Sequence, residues 1–295
     1  MYVIGIDGGG TKTRLAVCAP DGTLLRRETL GAFNLSAIGE DGFRRRTEEI
    51  LALCGDMRGC GAICVGGAGV SGAAAGEILR AELAAHGFAG KLLLCGDHEI
   101  ALAGAMQTPG CVLIAGTGSV CYGKNAAGET FRCGGGGHII DDPGSGYTLG
   151  RDALAAALRT EDGRLSENAL HAAVMDAVGG HDIQGIFDFV YFSRRGKSDI
   201  AALAPLVLRC AEQGDAVSLA ILRRGAAELA RLVSAVTGRL GLGNKSPCAL
   251  AGGLLAENNI YRRTVCEALV PFCRPAKPEH GALFGAVQLA LAAVK

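Results

Sequence analysis

The sequence predicts an α/β fold in which one domain pattern is used twice, with a cleft between the halves and a helical insertion in the second. Two observations carry this. A strand, a Gly/Thr-rich turn, a strand, a second turn and a third strand fill roughly the first thirty residues, and the same succession returns roughly a hundred residues later. After the first copy, apolar strands alternate with segments of helical period. The expected division is 1–109 for the N-terminal half and 110–281 for the C-terminal half with its insertion, residues 282–295 being a candidate to pack back on the first half.

Val3–Asp7 is a short apolar run ending in Gly8-Gly9-Gly10-Thr11. Thr13–Ala19, the turn Pro20-Asp21-Gly22-Thr23 and Leu24–Leu30 complete three antiparallel strands. Asp41–Cys54 has apolar positions at helical spacing, followed by strand Ala62–Val65, helix Ala74–His86, strand Lys91–Cys95 and helix His98–Met106. The second copy runs Cys111–Ala115, Gly116-Thr117-Gly118-Ser119, Val120–Gly123, the turn Asn125-Ala126-Ala127-Gly128 and Thr130–Cys133. From Thr148 to Leu240 the chain reads as mostly helical, over Arg151–Leu158, Ser166–Val178, Asp199–Gln213 and Ala216–Leu240. Ser166-Glu167-Asn168-Ala169 and Ser198-Asp199 offer N-caps, and Gly179-Gly180 a stop. Pro247–Leu255 is a strand containing Ala251-Gly252-Gly253, and helices Asn259–Phe272 and Ala282–Val294 follow.

Composition excludes several classes. With 29 basic and 29 acidic residues in 295, no net charge advertises nucleic acid or anionic lipid. Hydrophobic residues reach 49%, yet 46 glycines and spaced charges interrupt them, so no window offers the ~18 unbroken apolar residues of a membrane span. The N-terminus reads as a strand rather than a secretory leader, so a cytoplasmic protein is expected. Its twelve cysteines form no CxxC pair and mostly lie in apolar runs, which points to buried free thiols.

The chemistry-bearing residues gather at the glycine turns. Asp7 ends a strand beside Gly8, Gly9, Gly10, Thr11 and Lys12, where backbone N–H groups can approach an anion with no Cβ in the way. The spacing is neither a Walker A loop nor a dinucleotide fingerprint, because a hairpin follows. Alone it reads equally well as an ordinary hairpin turn. The equivalent turn Gly116, Thr117, Gly118, Ser119 in the second half favours a pair of loops clamping a polyphosphate from both sides, with Asp7 helping to position Mg²⁺.

These residues resemble a known family. Gly8–Thr11 is similar to the phosphate-1 motif of the hexokinase–actin–Hsp70 superfamily, Gly116–Ser119 to its phosphate-2 motif, and Ala249-Leu250-Ala251-Gly252-Gly253-Leu254 to its adenosine motif. Within it, the chain looks like the N-acetylglucosamine kinase-like branch of the BadF/BadG/BcrA/BcrD ATPase family over essentially its whole length. The resemblance implies duplicated ribonuclease H-like (actin-like ATPase) domains. It also implies ATP and Mg²⁺ as cofactors, an N-acetylated amino sugar phosphorylated at its 6-hydroxyl, and a homodimer; N-acetylglucosamine is the first candidate and N-acetylmuramic acid the second. On the same basis Asp97, in Cys95-Gly96-Asp97-His98, is the general base and a sugar contact, the alternative being a helix N-cap. Asn34 matches an asparagine that binds sugar hydroxyls, the alternative being an ordinary turn residue. Gly252 and Gly253 lie against adenosine, and Lys12 reaches a phosphate or stays on the surface.

Residues 134–147 resemble the family's sugar-binding segment, whose usual form is Gly-Gly-Trp-Gly, an apolar pair, then Gly-Asp-Glu-Gly-Ser. This assigns Gly135, Gly136 and Asp142 to the sugar. The segment also departs from that form. Gly136 stands at the Trp position, the chain contains no Trp, and Pro143 replaces the Glu. Asp141 adds charge nearby. Losing the aromatic wall would weaken acyl recognition by about 1–3 kcal/mol, or admit a larger sugar. His98 and His138 are expected in hydrogen-bonded structural roles, and Arg44–Arg46 and Arg223-Arg224 on solvated helix faces. Two rival functions stand beside the kinase. One is an ATPase activator of a 2-hydroxyacyl-CoA dehydratase carrying an iron–sulfur cluster, against which stands the absence of its Gly-Gly-Gln-Asp loop. The other is a non-catalytic sugar-binding regulator, which an intact Asp97 disfavours.

Overall fold

Alternation along the first strand determines how the N-terminal unit is layered. In β1 (Tyr2–Gly8) Ile4 and Ile6 enter one core and Val3 the core on the opposite face, as the two-residue period of a strand requires. The computed structural model describes residues 1–67, 69–70, 72–180, 182–192 and 195–295. Hairpin partners β2 (Lys12–Cys18) and β3 (Leu24–Gly31) run antiparallel beside β1. Helix α1 (Leu35–Cys54) follows, interrupted at Gly39, whose φ of +68° is non-helical. Then come β4 (Cys60–Gly67), α2 (Ala73–Ala85), β5 (Lys91–Cys95) and α3 (Asp97–Ala105). The sheet order is β3-β2-β1-β4-β5, with β1, β4 and β5 parallel, so their C-terminal ends share one edge. Phe33 and Phe43 stack at 4.3 Å in the core under α1 and α2.

The second unit repeats the scheme. β6 (Gly110–Ala115), β7 (Ser119–Lys124) and β8 (Thr130–Gly134) form the antiparallel part. Among the described residues six α-helices intervene: α4 (Gly146–Glu161), α5 (Ala169–Val178), α6 (Ile183–Phe187), α7 (Lys197–Ala201), α8 (Ala204–Glu212) and α9 (Ala216–Arg239). β9 (Pro247–Ala251), α10 (Ile260–Leu269) and β10 (Arg274–Ala276) complete the parallel part. The order β10-β9-β6-β7-β8 reproduces that of the first sheet strand for strand. The segment expected as one helix over Asp199–Gln213 is two, because Pro205 falls in the first turn of α8, where its missing N–H is tolerated, and not in the middle of a longer helix. β10 was not legible in the sequence: it is three residues long and is held by pairing with β9.

The chain divides into Met1–Thr108 with Pro278–Lys295, and Pro109–Lys277. The returning helix α11 (Ala282–Val294) lies on the Val3, Cys64 and Ile100 face of the first sheet. It approaches α3 backbone to backbone: a Cβ on Gly285 would lie 2.5 Å from the Gly104 nitrogen and against the Ile100 carbonyl oxygen. The His280 and Glu279 N–H groups donate to the Gly104 and Ala105 carbonyls at 2.9 and 3.0 Å. Among the described residues no helix is long and apolar enough to cross a membrane.

Candidate active site

In the first unit, the parallel strand ends place two carboxylates near one another. Asp7 lies next to last in β1, opposite Gly66 of β4, which in turn pairs with Cys95 at the end of β5; Gly96 and Asp97 follow directly. The Asp7 side chain is 21% exposed. Burial pushes its carboxyl above the ordinary range, the Arg14 guanidinium opposes this with Nη1 3.5 Å from Oδ2, and the Asp97 charge adds to the rise. Arg14 was missed in the sequence. The signal was available, because hairpin register puts it directly opposite Asp7. The Gly9 N–H donates to the Lys12 carbonyl at 3.0 Å and the Gly9 carbonyl accepts from the Phe33 N–H at 2.9 Å, which fixes the loop and leaves Gly10, Thr11 and Lys12 exposed at its tip.

Phe33, buried, leads into Asn34, which caps α1: its Oδ1 accepts the Ala37 N–H at 3.2 Å. Asn34 is thus a helix N-cap and not the ordinary turn residue of the alternative reading, and sugar contact by the same side chain is compatible with that role. At α3 the cap is Gly96, with Glu99 Oε2 accepting its N–H at 2.5 Å; Asp97 is the first helical residue, so its carboxylate does not serve as the cap. That side chain is half exposed, and its Oδ1 accepts from the His98 N–H at 3.0 Å and lies 3.3 Å from His98 Nδ1.

The second unit gathers the remaining predicted residues. The Gly116 N–H donates to the Gly118 carbonyl at 2.9 Å, closing the turn. Four bonds from the 142–147 segment then hold it: Gly146 N–H to Gly116 O at 2.7 Å, Tyr147 N–H to Thr117 O at 3.2 Å, Ser119 N–H to Asp142 Oδ1 at 3.1 Å and Ser119 Oγ to Pro143 O at 2.7 Å. Asp142 is 5% exposed, with φ +57°, and its carboxylate sits where a Cβ on Gly118 would meet it at 2.8 Å. Its backbone carbonyl accepts the Thr148 hydroxyl at 2.7 Å. The residue assigned to sugar therefore also braces the phosphate-2-like loop. Gly135 and Gly136 lie in the partly exposed loop before it, where the Gly136 N–H donates to Asp141 Oδ2 at 2.8 Å. His138 packs edge-on to Tyr147 at 4.9 Å.

Gly252, at φ +88°, passes so close to Ala115 that any Cβ would strike its backbone; open space surrounds the Cβ position of Gly253, and the Leu254 N–H donates to the Ala115 carbonyl at 3.1 Å. The adenosine-like and phosphate-2-like segments are thus adjacent. Among the described residues no group of three or more His, Cys, Asp or Glu could hold a metal ion. A single part-buried carboxylate, Asp7, suits an ion that keeps most of its water and takes phosphate oxygens, as Mg²⁺ does.

Comparison with known proteins accords with this geometry. The family model of the BadF/BadG/BcrA/BcrD ATPases matches residues 4–290. The N-acetylmuramic acid/N-acetylglucosamine kinase of Clostridium acetobutylicum is 34% identical over 299 residues, covering 98% of both chains. A crystal structure from Chromobacterium violaceum whose N-acetylglucosamine kinase name is provisional superposes with TM-score 0.78 at 31% identity, over 98% of each chain. A ROK family glucokinase from Streptomyces griseus, solved with glucose and AMPPNP, shares the fold at TM-score 0.60 and 14% identity, over 99% of both chains.

Proposed function

This chain is a member of the BadF/BadG/BcrA/BcrD ATPase family, and on that premise we propose that it is an ATP-dependent kinase acting on an N-acetylated amino sugar. N-acetylglucosamine is the leading substrate, N-acetylmuramic acid the second, and the 6-hydroxyl the acceptor. The observation that carries this is the end-to-end similarity to a kinase named for both sugars. The site chemistry supports it.

Phosphoryl transfer to an alcohol depends mainly on positioning and charge stabilisation. The turns Gly8–Lys12 and Gly116–Ser119 grip phosphate oxygens, through the backbone N–H groups of Gly10 and Thr11 in the first and Thr117 and Gly118 in the second, and Gly252-Gly253 admits the adenosine face to the backbone. Asn34, Gly135, Gly136 and Asp142 orient the sugar. Asp97, half exposed and bonded through Oδ1 to His98, takes the proton as the 6-oxygen forms its bond to the γ-phosphorus and the bond to the ADP oxygen breaks. Mg²⁺, held through Asp7, supplies neutralisation of the phosphate charge when bound. A homodimer in the cytoplasm is part of this proposal; light scattering tests its stoichiometry.

The decisive experiment is an ADP-release assay over N-acetylglucosamine, N-acetylmuramic acid, glucosamine, N-acetylmannosamine and glucose. Sugar-dependent release with the first two is expected. Release that is sugar-independent, or confined to glucose, refutes the proposal.

A further inference from the structure

Asp97 opens α3, and a carboxylate at that position has competing partners, because the first-turn N–H groups of a helix have no intrahelical acceptors. A base must instead keep one oxygen aimed at its proton donor. In this structure the adjacent residue meets it twice. The backbone N–H of His98 and the ring Nδ1 of His98 both converge on Asp97 Oδ1, at 3.0 and 3.3 Å. An ionised carboxylate only accepts, so Nδ1 carries the hydrogen. The backbone N–H would be present with any residue at 98; the ring adds the second direction that fixes the carboxylate plane.

The ring is itself fixed. Its side chain is 13% exposed and lies flat against Gly96, where a Cβ would fall 2.7 Å from Nδ1 and 3.0 Å from Nε2. Gly96 is anchored by Glu99 through its N–H. Gly96, Asp97, His98 and Glu99 thus form one interlocked turn whose effect is the orientation of a single carboxylate.

We infer that His98 is a positioning residue for the base, its ring N–H holding Asp97 in the orientation from which it receives the sugar proton. This rests on the kinase proposed above. His98→Phe keeps a ring against Gly96 and removes the donor; His98→Asn places an amide nitrogen where Nδ1 stands. With the sugar that the unsubstituted enzyme prefers, His98→Phe lowers kcat about ten-fold, with KM for sugar and ATP changed less than about two-fold, and His98→Asn recovers most of the loss. Gly96→Ala, which displaces the ring without altering 97 or 98, reproduces the His98→Phe effect. Long-range ¹H–¹⁵N spectra of the unsubstituted protein, recorded well above the ordinary histidine range, show His98 hydrogenated on Nδ1. Unchanged kcat in a folded His98→Phe, equal loss in the Phe and Asn variants, or an Nε2–H tautomer overturns the inference. Absence of sugar-dependent turnover before any substitution overturns the kinase reading, and this inference with it; the two failures are read from different proteins.

Discussion

Replacing Asp97 by Asn separates a base from a helix-terminal carboxylate. The structural cost is small. Gly96, not Asp97, caps α3, and the Asn side-chain oxygen can still accept the His98 N–H that Oδ1 accepts now. What is lost is one negative charge in the first turn of a helix, about 0.3–1 kcal/mol when exposed. What is gained is relief of the repulsion that Asp97 exerts on Asp7. The two oppose each other, so the melting temperature should move by no more than about 3 °C. The chemical cost is large: general-base catalysis contributes about 10²–10⁴, or about 3–5 kcal/mol of barrier. A coupled ADP-release assay with N-acetylglucosamine should therefore show kcat lowered at least about 100-fold, with nucleotide affinity by fluorescence or calorimetry unchanged. Turnover that survives within about ten-fold would refute the assignment of the base.

Three further outcomes follow from the packing. Gly285→Ala should destabilise the first unit by about 1–3 kcal/mol, read as a lower melting temperature, because the new methyl meets the α3 backbone at Ile100 and Gly104; an unchanged melting curve would contradict the close approach. Asp7 has a raised carboxyl, so in the pH window from the ordinary carboxylate value up to the raised one the folded state binds more protons than the unfolded chain, and stability falls as pH rises through it. Asp7→Asn should accordingly stabilise the protein at neutral pH and flatten that slope while abolishing activity, with denaturant melts across weakly acidic pH as the check. Of twelve free cysteines only Cys95, Cys133 and Cys266 are partly exposed, and burial pushes Cys54 and Cys60 up to about 12. A thiol reagent should modify at most those three quickly in the native protein. Cys95 should react first, because the Cys64 thiol, 3.9 Å away, donates to it and holds it below the usual range.

The fold class was legible because hairpin turns and strand–helix alternation are local signals. Pro20–Thr23 and Asn125–Gly128 announce their hairpins, and their repetition announced the second sheet. What was not legible depends on partners distant in sequence. β10 exists because β9 pairs with it, and α6 lay in a stretch without clear periodicity. The site divides in the same way. The position of Asp97 at a strand–helix junction could be read directly. The burial of Asp142 could not, because it follows from a left-handed residue turning its carboxylate back onto Ser119, 23 residues away.

That segment also suggests why the chain departs from its family where it does. Gly136 stands where the usual form has Trp, and Asp141 where it has Gly. In the structure the two are in contact: the Gly136 N–H donates to Asp141 Oδ2 at 2.8 Å, and a Cβ at 136 would lie 3.0 Å from both Asp141 Cβ and Oδ2. Asp141 is tied in turn by its N–H to the Gly137 carbonyl at 2.8 Å. The carboxylate has taken the place an aromatic side chain would need to leave, so the two departures act as one change. Gly136→Trp alone should then disorder the loop and raise KM for N-acetylglucosamine. Combined with Asp141→Gly it should restore an apolar wall and lower KM by about ten-fold or more, the scale of about 1–3 kcal/mol for an apolar contact in a pocket. A double-mutant cycle measures this, and coupling above about 0.5 kcal/mol is expected of residues in contact. Strictly additive effects on KM would show that the aspartate and the missing aromatic are independent, and that the pocket lost its wall for a reason unconnected with the charge beside it.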